Sequence, residues 1–319
     1  MNRNRPAAAK TLLITAVLLL ALLGAGCAGS PTETALEKGF PITVTDDIGC
    51  EVTVTASPAR IISLAPSNTE MLFALGLGPK IVGVTDFCNY PAEAPAKERV
   101  GGFVNPSLEK IIALEPDLVV AADLHRELVP QLNNLKIPVV VLNARSVDGM
   151  LNNIILVGRL TGLEMEAERL TGELRARVEA VTGRVSKIAP SKRPRVYYEV
   201  WHEPLCTAGP GTFIDDLIGL AGGTNVAADA PVPWPQYSAE VIVRKNPEVM
   251  LHAYGHGDAG SQTPAGIARR PGWSSVSFVK SGRVYAMDAD MMNRAGPRLV
   301  DALEAVARAL HPEVFERQE

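Results

Sequence analysis

Residues 107–120 read Ser-Leu-Glu-Lys-Ile-Ile-Ala-Leu-Glu-Pro-Asp-Leu-Val-Val. Residues 238–251 read Ser-Ala-Glu-Val-Ile-Val-Arg-Lys-Asn-Pro-Glu-Val-Met-Leu, 131 positions later. Both follow S-x-E-x-I-x-x-x-x-P-[DE] and then run into apolar residues. The serine is a helix N-cap, the proline ends the short helix, and the apolar run that follows is a buried parallel strand. Agreement at the cap, the glutamate, the isoleucine and the proline makes this a repeated unit, and the surroundings repeat with it. Upstream of the first copy, RIISL (60–64) reads as a buried strand. Ser67 or Asn68 then caps a helix whose apolar face runs through 70–75, Gly76 and Gly78 stop it, and IVGV (81–84) is a further strand. Upstream of the second copy, RVYYEV (195–200) is a strand, followed by a Gly-containing loop (207–211) and a helix over FIDDLIGLAGG. PVVVL (138–142) and RVYAM (283–287) add a strand to each half. Strands alternating with helices predict parallel sheets covered on both faces.

Between the halves, residues 164–187 are rich in Glu, Arg, Ala and Leu with apolar positions at helical spacing. At about 1.5 Å per residue the segment predicts a helix of roughly 36 Å. The expected fold class is therefore α/β: two Rossmann-like lobes, 41–163 and 188–319, joined by one long α-helix at 164–187, with a ligand cleft between them. A single helical strut predicts modest lobe motion. The chain has 319 residues, beyond the roughly 250–300 at which a single core stops growing, so two lobes suit its length. Charged residues make up 21% of the chain and the formal net charge is −4, which argues against disorder and against a nucleic-acid footprint. Aromatics are only 5%, so their placement is informative.

The first 26 residues read as an export leader. Arg3, Arg5 and Lys10 precede an apolar or small stretch at 11–26, shorter than the roughly 20 residues of a spanning helix. Its ending, Leu-Leu-Gly-Ala-Gly-Cys, resembles a bacterial lipobox with Leu23 four residues before the cysteine. That resemblance implies lipidation at Cys27 and an anchor without a spanning helix. Residues 27–40 then read as a flexible tether. Removing the leader leaves 31 − 3 = 28 basic and 35 acidic residues, a balance of −7. Cys50, Cys88 and Cys206 remain; an export compartment permits a disulfide, but the sequence does not choose a pair.

In this order, VTDDIG (44–49) with VTV (52–54), ARIISLAPSNTEMLFALG (59–76), VGVTDFCNYP (82–91), GGFVNPSLEKIIALEPDLVV (101–120), VYYEVWHEPLCTAGPGTFIDDL (196–217), VPWPQYSAEVIV (232–243) and NRAGPRL (293–299) resemble the substrate-binding proteins of ABC importers for cobalamin, ferric siderophores and haem. VPWPQ and NYP are most similar to the cobalamin-binding members. The resemblance covers nearly all of 41–316. It implies a monomeric extracytoplasmic receptor, held at the outer face of the cytoplasmic membrane or in the periplasm. The receptor delivers a corrinoid to a permease dimer with its cytoplasmic ATPase, without cofactor or catalysis. It assigns Glu109 and Glu240 to permease docking. It also places Phe87, Tyr90 and Phe103 from one lobe, and Trp234, Asp290 and Arg294 from the other, around the ligand; Trp201, where the strand at 195–200 leads out into a loop facing the cleft, reads as a further wall or as a strand residue packed inside. Ala122 and Met291 depart from the pattern, standing where cobalamin binders often carry tryptophan.

The same resemblance leaves siderophore and haem as alternatives. Catecholate siderophores call for clustered cations, and only Arg294 with Arg298 falls near the cleft. In a different class, His252, His256 and Asp258 suggest a metal-ion binder, but in a Gly-rich loop rather than at helical spacing. A cleft enzyme is disfavoured: His202 and Cys206 form no readable base–nucleophile arrangement and there is no G-x-S-x-G elbow. Gly209-Pro210-Gly211-Thr212 at a helix start offers N–H groups to an anion but is no P-loop.

Overall fold

Both copies of the repeated segment fold alike in the computed structural model, which describes residues 39–254 and 263–315. Ser107 Oγ accepts from Lys110 N–H at 3.3 Å at the start of helix Leu108–Ala113, and Ser238 Oγ accepts from Val241 N–H at 3.4 Å at the start of helix Ala239–Lys245. The agreement extends to the backbone: the residue before each proline, Glu115 and Asn246, has φ of 44°. Each copy then enters a strand, Leu118–Ala122 or Val249–His252.

In chain order the strands are β1 (Ile42–Thr45), β2 (Glu51–Val54), β3 (Ile61–Ser63), β4 (Ile81–Val84), β5 (Glu98–Arg99), β6 (Leu118–Ala122), β7 (Val139–Leu142), β8 (Arg195–His202), β9 (Leu205–Thr207), β10 (Thr224–Asn225), β11 (Val249–His252) and β12 (Val284–Ala286). The first lobe is a parallel sheet of order β5-β4-β3-β6-β7. The second is β10-β8-β11-β12, also parallel, with β9 antiparallel on β8. With the extra edge strand β5 set aside, the first sheet (β4-β3-β6-β7) and the second (β10-β8-β11-β12) both follow the order 2-1-3-4 within their lobes, so the repeat seen in sequence is a repeat of topology. Hairpin β1–β2 is fastened to the first sheet by Asp46, which accepts from Ile48 and Cys50 N–H in its own turn and from Val141 N–H in β7 at 3.1 Å.

Adjacent strand residues point to opposite faces, and each sheet uses both. Ile62, Val119 and Val141 cover the outer face of the first sheet; Tyr197, Met250, Trp273 and Phe278 cover that of the second. The inner faces share one core, in which Ile61, Met71, Leu174, Tyr198, Leu251 and Leu303 belong to a single cluster. The two lobes expected from chain length therefore have no separate inner cores. The connecting helix supplies Ala167, Leu174 and Val181 to the shared one.

Several local expectations need adjustment. Helix Pro66–Ala74 is capped by the backbone of Ala65 and not by Ser67 or Asn68, because Pro66 takes the first helical position, where its missing N–H costs nothing. The connecting helix is Glu164–Val185, two residues short of the expected end. It follows an amphipathic helix, Val147–Thr161, that the sequence reading did not assign; Gly162, in the left-handed region, turns one into the other. Phe40, the last expected tether residue, is already part of the core and packs at Gly162. Cys50 is exposed, Cys88 buried and Cys206 half-buried, and none of the three is disulfide-bonded. The leader, the Cys27 lipidation site and the tether up to residue 38 lie outside the described residues, as do His256 and Asp258. No helix among the described residues is long and apolar enough to cross a membrane.

Candidate functional site

In open parallel sheets, ligands bind beyond the carboxyl ends of the strands, where strand order reverses. In the first lobe that point lies between β3 and β6. A cavity of about 570 Å³ opens there, lined by Ser67 and Asn68 beyond β3, Asp123 and Leu124 beyond β6, and Asn143 and Ala144 beyond β7; Ala289, Asp290, Asn293 and Arg294 close it from the second lobe. Its apolar wall is Met71, Phe87, Phe103, Val104, Leu124 and Phe213. Three of these stand open to solvent, Phe87 at 53%, Val104 at 78% and Leu124 at 46% exposure, which suits a broad apolar partner. A smaller annex of about 190 Å³ shares Asp123, Asn143, Ala144 and Phe213 with the cavity and adds Arg145, Gly211, Thr212, Pro233 and Trp234.

The backbone around Trp234 explains its position. Thr207 N–H donates to Pro235 O at 3.1 Å and Gly209 N–H donates to Pro233 O at 2.7 Å, so the Pro-Trp-Pro segment lies along β9 as an extended edge. The proline carbonyls face the strand and the intervening Trp234 is left at the annex, 48% exposed. Gly209 permits the approach: a Cβ there would stand 2.8 Å from Val232 O.

Phe103 is held by a histidine. His125 Nδ1 accepts Ala122 N–H at 3.0 Å, which makes Nε2 the protonated nitrogen, donating to Phe103 O at 2.7 Å. The two rings meet edge to face, with centroids 5.6 Å apart. Burial holds the His125 pKa below its usual value, so the ring stays neutral and the loop carrying Phe103 and Val104 keeps its anchor.

Arg294 is not a free cation. It pairs with Asp290 at 2.6 Å and Glu70 at 3.3 Å, and donates to Asn89 Oδ1 at 2.7 Å. Glu70, only 3% exposed in helix Pro66–Ala74, also receives Arg298 through both carboxylate oxygens at 2.6 and 2.9 Å. These contacts, with Asn89 Nδ2 donating to Asp290 at 2.8 Å, join the lobes beside the cavity. Elsewhere Asp216 accepts Val147 N–H at 2.8 Å, a second tie between lobes; burial raises its pKa. Asn68 donates to Val120 O and Ala121 O, and Asn293 accepts Tyr198 Oη–H and donates to Ala253 O, so both amides are fixed.

Of the residues expected at the ligand, Phe87, Phe103, Asp290 and Arg294 meet at the main cavity and Trp234 at its annex. Tyr90 and Trp201 line neither. Tyr90 lies under the Arg298 guanidinium, 3.9 Å from the ring centroid, in a separate depression with Glu70, Arg177 and Asp301. Trp201 stands at the solvent edge of β8 and donates its indole N–H to Glu203 O at 2.9 Å. Ala122 gives the cavity wall a small residue. Glu109 and Glu240 are exposed in the first turns of their helices, outside the cavity linings. The sequence reading missed Glu70, whose signal was a carboxylate inside an apolar helical face. It also missed Asn143, Arg145 and His125, which carry no pattern of their own.

His252, considered for metal binding, is buried in the second lobe and stacked on Tyr254 at 4.7 Å, and burial lowers its pKa. Next to it Glu199, fully buried, is gripped by both Arg270 nitrogens at 2.7 and 2.8 Å and by the hydroxyls of Tyr197 and Tyr254. No group of three or more His, Cys, Asp and Glu side chains among the described residues is arranged to hold a metal ion.

Residues 61–291 match the family model described as periplasmic binding protein. The chain is 34% identical over 312 residues to an uncharacterized ABC transporter substrate-binding lipoprotein of Bacillus subtilis (strain 168), covering 94% of this chain and 96% of the other. It is 33% identical over 323 residues to the cobalamin-binding protein of Halobacterium salinarum, covering 98% and 86%. Among solved structures, the periplasmic heme-binding protein of Roseiflexus sp. RS-1 superposes with a TM-score of 0.71 at 28% identity, covering 80% of this chain and 98% of the other.

Proposed function

The chain belongs to the periplasmic binding protein family, as a substrate-binding protein of the ABC importer class, and on that premise we propose that its cargo is cobalamin or a related corrinoid. The observation that carries this reading is the chemistry of the main cavity. Its wall is broad and apolar, its rim is rich in asparagine amides, and its guanidinium, Arg294, is already neutralised by Asp290 and Glu70. A corrin is a wide flat ring edged with amides and needs that kind of wall. A catecholate siderophore needs unspent cations, and a haem iron needs a protein ligand; among the described residues no histidine, tyrosine or cysteine lines the cavity, and its methionine, Met71, is buried in the shared core. The 33% identity to a cobalamin-binding protein over 98% of the chain supports the same cargo.

The protein acts by binding and docking, with no covalent step. Phe87 and Phe103 cover the ring, Trp234 bounds its far side, and Asn143 reads the amides. Lipidated Cys27 keeps the monomer at the membrane, and Glu109 and Glu240 engage the permease dimer whose ATPase drives uptake. Isothermal titration of the purified protein with cobalamin, cobinamide, haem and a ferric catecholate siderophore tests the cargo. Submicromolar binding of a corrinoid and none of the iron ligands is expected. Silence toward both corrinoids at submillimolar concentration overturns the reading.

A further inference from the structure

Four guanidiniums line the main cavity, its annex and the Tyr90 depression, and three are already answered by carboxylates. Arg294 is held by Asp290 and Glu70, Arg298 by Glu70, and Arg177 by Asp301 at 2.5 Å and Glu304 at 2.8 Å. The fourth, Arg145 in the annex, has neither ion pair nor hydrogen bond with any partner among the described residues. It stands three residues beyond β7, next to Ser146, which caps helix Val147–Thr161. Asp123, which also borders the annex, is paired with Arg126 and makes no ion pair with Arg145. Trp234 faces the same space, and its indole N–H likewise has no acceptor among the described residues. The neighbouring helix terminus adds little attraction: Thr212 already caps it, and Asp215 and Asp216 occupy its first turn.

A positive charge and an indole donor, both unspent, thus border one small annex that opens onto an apolar, amide-rimmed cavity. We propose that the annex is a subsite for a single anionic group of the phosphodiester class, carried on an arm of the ligand whose flat body fills the main cavity. The proposal rests on the corrinoid reading. Complete cobalamin carries one phosphodiester in its nucleotide loop, whereas cobinamide has the same ring and no phosphate. A planar guanidinium offers two parallel N–H donors to such a group, and the indole ring supplies a flat wall beside it. The annex would therefore discriminate between corrinoids by their appended arm and not by their ring.

Titrating cobalamin and cobinamide into the unmodified protein and into Arg145→Gln, at low and at high salt, tests this. Cobalamin affinity should fall about five-fold in Arg145→Gln at low salt, the upper end for a charge pair open to water. Cobinamide affinity should not change, and the cobalamin loss should shrink as salt is raised. An Arg145→Gln variant that weakens both corrinoids equally, or neither, overturns the subsite while leaving the corrinoid reading intact. Failure of the unmodified protein to bind either corrinoid overturns that reading, and the subsite with it.

Discussion

Glu70 was legible as a helical residue and not as a functional one. Its neighbours Met71 and Leu72 face the core as their spacing requires, but a carboxylate that is 3% exposed must be paired, and its partners lie 224 and 228 positions away. No local pattern carries that information. The same holds for His125, whose two hydrogen bonds reach back to Phe103 and Ala122 and become visible only when β6 lies beside its neighbours. Removing the charge of Glu70 leaves the half-buried Arg294 and Arg298 close together with one acceptor fewer. Glu70→Gln should lower stability by about 3 kcal/mol, read as a drop in the urea midpoint at constant slope. Adding Arg298→Met to the same variant should recover part of the loss. A Glu70→Gln midpoint indistinguishable from the parent would show that the clasp contributes no net stability.

At the scale of elements, the sequence was most informative where one residue does one mechanical job. Ser107 and Ser238 cap, Pro116 and Pro247 terminate, and the strands that follow pair in parallel as expected. Helix Val147–Thr161 escaped because it abuts the connecting helix with only Gly162 and Leu163 between them, so the compositional boundary lay in the second helix. The pairing of the Pro-Trp-Pro segment beside β9 was not legible, because it depends on Gly209, 24 residues before Pro233. The two serine-capped helices each present one exposed glutamate from an equivalent turn of an equivalent lobe. Replacing both, Glu109→Ala with Glu240→Ala, should change stability by no more than about 1 kcal/mol per site, the size of a first-turn interaction with the helix dipole. Ligand affinity should be unaltered, while ligand-stimulated ATP hydrolysis by the reconstituted importer is lost. Full stimulation by the double variant would remove both residues from docking.

For the whole molecule, chain length predicted two units, and two sheets are present, but one buried cluster serves the inner faces of both and includes the connecting helix. Cooperative units follow shared cores and not sheet count. Calorimetry of the ligand-free protein should therefore give one unfolding transition whose van't Hoff and calorimetric enthalpies agree. Two resolved transitions would mean that the lobes melt independently and that the shared core contributes little. The same continuity favours small rocking of the lobes over wide closure, in keeping with the helical strut and with the polar ties between lobes at Glu70 and Asp216.

The three described thiols give this cooperative body a built-in clock. Cys50, at the tip of hairpin β1–β2, is exposed, and burial raises the thiol pKa of the half-buried Cys206. Cys88 is completely enclosed, within 3.2 Å of the Thr69 and Thr85 hydroxyls and directly beneath the polypeptide that carries Phe87 and Asn89. An alkylating reagent therefore meets the three sulfurs in sequence: at once, slowly as the thiolate forms, and only when the first lobe opens. The rate at which Cys88 becomes labelled measures how often the binding wall comes apart, and a cargo seated against Phe87 lengthens that interval without touching the sulfur itself.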